Sequence, residues 1–311
     1  MRWRGRRESS NIEDRRGGGF GGGFGRSLGG GLGRIRIPSG RGGRRGAGIG
    51  GLGLVAFIVI ALLMGFDPSM LLTGGQNSGS GPAPYPSSSS SSTGAPDDPL
   101  RDFVAVVLAD TEDVWHAQFR QEVNGDYQEP ALVLFNGGVD SACGFAGSAV
   151  GPFYCPGDRK VYLDLGFFRT LRDRFGAPGD FAQAYVIAHE VGHHVQTLLG
   201  ISEQVHAAQR SRPEAEANAL SVMLELQADC LAGVWAHHAD ATKGILEAGD
   251  VEEALGAASA IGDDTLQRQA RGQVTPDSFT HGTSAQRQHW FSRGLEQGTM
   301  AACDTFNAPS Q

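Results

Sequence analysis

The sequence predicts an α+β domain, and three observations lead there. Two short strand-like runs precede two long helical patterns, an order that favours segregated strands and helices over alternating βα units. An uncharged apolar run, Gly48 to Phe66, stands apart from both. A stretch rich in Gly, Ser and Pro (residues 74–98) then separates that run from everything with a plausible core.

The division is also one of charge. The chain of 311 residues carries a formal net charge of -8. Residues 1–45 hold twelve arginines against three acids, Glu8, Glu13 and Asp14, a net of +9 that leaves -17 for the rest. A head dense in Gly and Arg buries nothing, so residues 1–47 read as a disordered tail. The nineteen residues from Gly48 to Phe66 match the ~20 needed to cross a hydrocarbon core. They begin too late, behind too long a basic flank, to be a signal peptide. The expectation is one transmembrane helix at 48–66, preceded by the cytoplasmic arginine-rich tail and followed by an exported body. The tail's charge is accounted for by orientation, and no nucleic-acid partner is expected. Residues 67–98 form a flexible linker. Residues 99–311 form the folded domain, large enough for one good core. Nothing in the sequence speaks to oligomeric state.

Within that domain residues 100–121 show helical spacing at Phe103, Val106, Val107, Val114 and Phe119. ALVLF (131–135) and KVYLDL (160–165) read as strands bounded by turn residues. Asp180 and Gln183 resemble a capping box opening a helix that runs to Leu199 and stops at Gly200. Pro213 opens a second long helix, to about His238. Four cysteines in an exported domain imply two disulfides, Cys143 with Cys155 across a Gly-Pro turn and then Cys230 with Cys303. Thiolate zinc ligation is the other reading, but no C-x-x-C pair is present.

The chemistry lies in AYVIAHEVGHHVQTLLG, residues 184–200. His189 and His193 are four apart, so a helix puts both imidazoles on one face, where they can share an ion. Glu190, turned one residue round the helix, is placed to act as general base. The surrounding apolar residues would make two idle histidines costly to bury. Gly192 in mid-helix implies close packing, since glycine there costs about 1 kcal/mol against alanine. A third ligand is found in MLELQADCLAG, residues 223–233. Glu225 can supply a carboxylate, and Asp229, one turn on, can accept a hydrogen bond from the outer nitrogen of a ligand histidine. His194 is turned off the metal face, and His206, His237 and His238 read as helix-end or loop residues.

HEVGH followed by ELQAD resembles the glutamate zincins. The wider text is similar to the bacterial neutral zinc metallopeptidase family, typically membrane proteins. The stretches that carry the likeness are MRWRGRRESSNIEDRR (1–16), SACGFAGSAVGPFYCPGDRKVYLDLGFF (141–168), GDFAQAYVIAHEVGHHVQ (179–196) and HGTSAQRQHWFSRG (281–294). The Gly/Arg stretch 17–47 and the serine linker have no counterpart in that likeness. The resemblance implies a zincin-like metalloprotease domain with a small sheet and long active-site helices, and one Zn2+ per chain. It implies ligation by His189, His193 and Glu225, Glu190 as base, Asp229 as the acid behind a ligand histidine, and a peptide or protein substrate. His281, in a T-H-G-T segment, matches a position that stabilises an oxyanion in related enzymes. KVYLDL is the expected edge strand for an extended peptide. The competing readings are a non-catalytic zinc-binding envelope adaptor and an amidase acting on cell-wall peptides. Serine catalysis has no support, since no G-x-S-x-G is present.

Overall fold

Strand alternation decides how the sheet is covered. In the computed structural model, which describes residues 1–17 and 98–307, strand β2 (Ala131–Phe135) sends Leu132 and Leu134 into the main core. Its Val133 and Phe135 go to a smaller apolar cluster on the other face. Strand β6 (Lys160–Asp164) repeats this with Val161 and Leu163 against Tyr162. Period-2 side chains buried on both faces explain why both runs are almost continuously apolar.

The four-stranded sheet has the order β1-β2-β6-β5, where β1 is Ile12–Asp14 and β5 is Phe153–Cys155. β1 and β6 flank β2 in parallel, and β5 runs antiparallel to β6. Strands β3 (Gly138–Ser141) and β4 (Gly144–Gly147) form a separate hairpin, whose Val139 and Ala146 cover the smaller cluster. β6 is therefore paired on both sides, against expectation, and the sheet edges are β1 and β5.

Helices make up the rest. They are α1 (Pro99–Gln118), α2 (Gly166–Asp173), α3 (Asp180–Leu198), α4 (Ile201–Gln209), α5 (Glu214–Lys243), α6 (Asp250–Ala260), α7 (Asp263–Arg271) and α8 (Ser284–Gln297). The domain is thus α+β, mostly helical with a small sheet. α1 starts at Asp98, whose side chain accepts from Arg101 N at 3.1 Å, and it ends in a π-turn through Val123 rather than as plain α-helix to 121. α3 ends where glycine allows it, with Gly200 at φ 74°. Its start differs from the expected capping box. Gly179 is the N-cap, and Asp180 is the first helical residue. α5 runs five residues past His238, to Gly244 in the left-handed conformation. Among the described residues α5 is the one helix long and apolar enough to cross a membrane, but its apolar window is 61% buried and packs in the core. The 48–66 span and most of the linker lie outside the described residues.

α5 packs on α3 and α8, and α8 approaches it closely at Gly233 and Gly294, where a Cβ on Gly294 would lie 1.9 Å from Cys230 O. Cys143–Cys155 and Cys230–Cys303 are both disulfides, the second tying α5 to the C-terminal segment.

Residues 1–17 do not behave as the disordered tail that their composition predicts. β1 adds to the sheet, with Leu132 N donating to Asn11 O and Arg15 N to Leu134 O, each at 2.8 Å. Trp3 packs edge-on against Phe103 at 5.4 Å. The α-amino group of Met1 pairs with Asp180 at 2.6 Å and with Glu247 and Asp250 at 3.3 Å. The physical reason is pairing. The arginines of this head meet buried acids of α1, Asp110 (shared with Lys243) and Glu112, which composition alone does not reveal.

Candidate metal centre

α3 and α5 cross at Gly192, where an added Cβ would sit 3.0 Å from Ala228 O. Glycine there lets two apolar helices approach closely enough for their polar residues to meet. Across that contact His189 Nε2 lies 3.2 Å from Glu225 Oε2, and His193 Nε2 lies 3.5 Å from Glu225 Oε1. One candidate ligand atom from each of the three residues falls within 4.8 Å of the others.

Behind these atoms is a set of hydrogen bonds that fixes their orientation. His189 Nδ1 faces Asp229 Oδ1 at 2.8 Å, and the same carboxylate accepts from Tyr185 OH at 2.5 Å. Arg287, from α8, donates to both Asp229 oxygens, from Nε at 2.8 Å and Nη2 at 2.9 Å. Asp229 and Arg287 are both buried. With Nδ1 donating to the carboxylate, His189 turns Nε2 toward Glu225. His193 Nδ1 is held by Gln196 Oε1 at 2.8 Å, whose amide donates in turn to Leu224 O and Gln227 Oε1. Tyr185, Gln196 and Arg287 were not singled out in the sequence. Gln196 stands three residues after His193, a helical spacing that could have pointed to it; the other two act only through tertiary contact.

The electrostatics favour a cation. Burial raises the Asp229 carboxyl, but the Arg287 charge and His189 outweigh it and hold it at about 2. Burial likewise opposes ionisation of Glu225, and His193 and His281 overcome it, leaving Glu225 well below the usual carboxylate range. His189 goes the other way. Burial disfavours its cation, yet Asp229 and Glu225 raise it to about 10. A proton on Nε2 thus has to leave before a metal can bind there. Two imidazole nitrogens and one carboxylate, with a cleft on the open side, fit zinc in the three-ligand arrangement that leaves a fourth position free.

The family described as "Putative neutral zinc metallopeptidase" matches residues 1–306. The chain belongs to it. "Uncharacterized protein YpfJ" of Escherichia coli (strain K12) is 49% identical over 306 residues, covering 98% of this chain and 99% of that protein. "Uncharacterized protein Rv2575" of Mycobacterium tuberculosis (strain ATCC 25618 / H37Rv) is 46% identical over 192 residues, covering 58% of this chain and 64% of that protein. No solved structure matches. The neutral zinc metallopeptidase family thus supplies a coarse activity class for the site.

In this family member the remaining residues line a cleft of about 640 Å³ whose floor includes His189, Glu190 and His193. Glu190 is buried, and burial raises its carboxyl. His281 borders the cleft. Asp263 Oδ2 accepts the backbone N–H groups of Thr280, His281 and Gly282 at 2.8, 2.6 and 3.0 Å, and Oδ1 lies 3.3 Å from His281 Nδ1. Asp263, also missed in the sequence, thereby fixes both the loop and the ring. His206 lines the cleft as well. His194 points away, to Tyr154 OH and Gln128 O. His237 and His238 cap the C-terminal end of α8, to Leu295 O and Gly298 O. A second acid cluster, Asp180, Asp250 and Glu253, is not vacant, because the Met1 ammonium pairs with two of its members.

Proposed function

We propose that the protein is a zinc-dependent metalloendopeptidase in which His189, His193 and Glu225 hold one ion and Glu190 is the general base. The observation that carries this is the meeting of those three groups at the floor of an open cleft beside a buried glutamate. Zinc supplies Lewis acidity there, bringing the ionisation of water toward about pH 7. The chain's own residues do the rest. Asp229, held by Arg287 and Tyr185, keeps the His189 proton on Nδ1 and its lone pair toward the ion. Glu190 takes a proton from the attacking water and delivers it to the leaving amine, a task helped by a carboxyl raised through burial. His281, whose ring faces Asp263, would donate from its outer nitrogen to charge developing on the carbonyl oxygen. An extended peptide would lie along β5, the sheet edge whose Phe153 and Tyr154 line the cleft. Two disulfides support an extracytoplasmic location for the domain.

The test is metal content and caseinolytic activity of the full chain, wild type beside Glu190→Gln. Expected are one zinc in both and activity only in wild type, with a loss of about 10²–10⁴-fold in the variant. Zinc in both and activity in neither would favour the adaptor; a folded protein without zinc would end the proposal.

A further inference from the structure

The sequence reading puts the arginine-rich head and the metal-site domain on opposite sides of a membrane. The contacts between them do not allow that. We propose that residues 1–17 and the domain from Asp98 onward lie on the same side of the membrane.

The first support is the depth of the interface. Asp110 and Glu112 on α1 are each 2% exposed. Arg6 Nη2 reaches Asp110 at 2.6 Å, and Arg7 Nη1 reaches Glu112 at 2.9 Å. Ser9 Oγ and Asn11 Nδ2 also donate to Glu112. Lys243 shares Asp110, but Glu112 has its cationic partner from the head. Breaking such a pair strands a buried carboxylate, the costly case for an ion pair. The head also contributes backbone: Arg2 N donates to Ile245 O, Ser9 N to Ala105 O, and β1 covers an edge of β2 that would otherwise lie open.

The second support is where the two ends sit. Arg16 binds Asp14 with Nε and Nη2 and, with Nη1, Asp98 Oδ2 at 2.7 Å. A hydrocarbon core about 30 Å thick cannot lie between groups in direct contact.

The arginines of the head were counted as an orientation signal. Within the fold Arg6, Arg7 and Arg16 are ion-paired to domain acids, and Arg4 lies over the Trp3 ring at 4.6 Å. Their positive charge belongs to an interface, and the topology rule gives it no direction.

Topology can be read without reference to catalysis. Ser10 and Glu296 are exposed and lie on the head and on α8. Ser10→Cys and Glu296→Cys, each in the full chain, would be treated in intact cells with a membrane-impermeant thiol reagent, with detergent-lysed cells as the accessibility control. Equal outcomes, both labelled or both protected until lysis, support the proposal; both labelled is expected from the disulfides. Labelling of Glu296→Cys with protection of Ser10→Cys would restore the single crossing and overturn it. Should either variant fail to accumulate, charge exchange tests the interface itself. Arg7→Glu should lower the amount of full-length protein and Glu112→Arg placed with it should restore it. Failure of the exchange to rescue would overturn the proposal.

Discussion

Asp229 holds together more of the candidate site than any residue facing the cleft. One buried carboxylate receives His189, Tyr185 and Arg287, so its ionised form is enforced and its proton-free state sets the His189 tautomer. Asp229→Asn should weaken zinc binding by about 10–100-fold, read by competition with a metal buffer, while leaving the residues that face the cleft unchanged. An unaltered affinity would mean that His189 is oriented by other means. His194 gives a pH prediction of a different kind. Burial keeps it neutral, lowering it to about 4 from an ordinary value near 6.5. Between those values the unfolded chain binds a proton that the folded chain refuses, so stability falls as pH falls through this window and no further below it. The full effect is at most about 3 kcal/mol. Urea unfolding at pH 7 and pH 4.5 should show a smaller pH-dependent loss in His194→Gln than in wild type.

At the scale of elements, α5 and α8 are held at backbone contact by glycine. Gly294→Ala would drive a Cβ into Cys230 O, so the helices must separate, at a cost of about 1–3 kcal/mol. A fall in Tm of roughly 2–4 °C per kcal/mol would register it; an unchanged Tm would show that α8 shifts freely. The same elements mark how far the sequence could be read. The helices bearing His189, His193, Glu225 and Asp229 were legible because their chemistry repeats every four residues, a spacing with few uses other than a shared face. β2 and β6 were legible as apolar runs. α8 was not, because the meaning of Arg287 lies in Asp229, 58 residues away, and nothing local marks it. The capping box at Asp180 was misread for a related reason: its carboxylate takes the Met1 ammonium, 179 residues off. The edge strand was misassigned because β5, three residues long, is too short to show a period.

For the whole molecule, the misreading of the head came from averaging. Residues 1–17 and the Gly/Arg stretch behind them share a composition but not a role. Residues 1–17 are distinguished by Glu8, Glu13 and Asp14 among their arginines, and by Trp3 and Ile12 packed against the core. A global constraint of another sort comes from Cys230–Cys303, which closes a sequence separation of 73 residues. Loop closure of that length is worth on the order of 4 kcal/mol in the chain-entropy account. Cys303→Ala paired with Cys230→Ala should lose about that much in urea unfolding, and a loss below 1 kcal/mol would place the constraint elsewhere.

The Arg16–Asp98 contact also brings together the two flanks of the intervening eighty residues (18–97). Two ends that already touch need only a short bridge. Replacing 18–97 with about eight Gly and Ser residues would lower the closure cost by about 2 kcal/mol, from the logarithmic dependence on loop length. The product would keep the eight α-helices and six strands of the described residues, including the N-terminal strand β1 that a truncation at Asp98 would discard. A minimal form of the described fold is therefore made by splicing out residues 18–97, and trimming its front would remove Met1, Trp3 and Ile12 from the core.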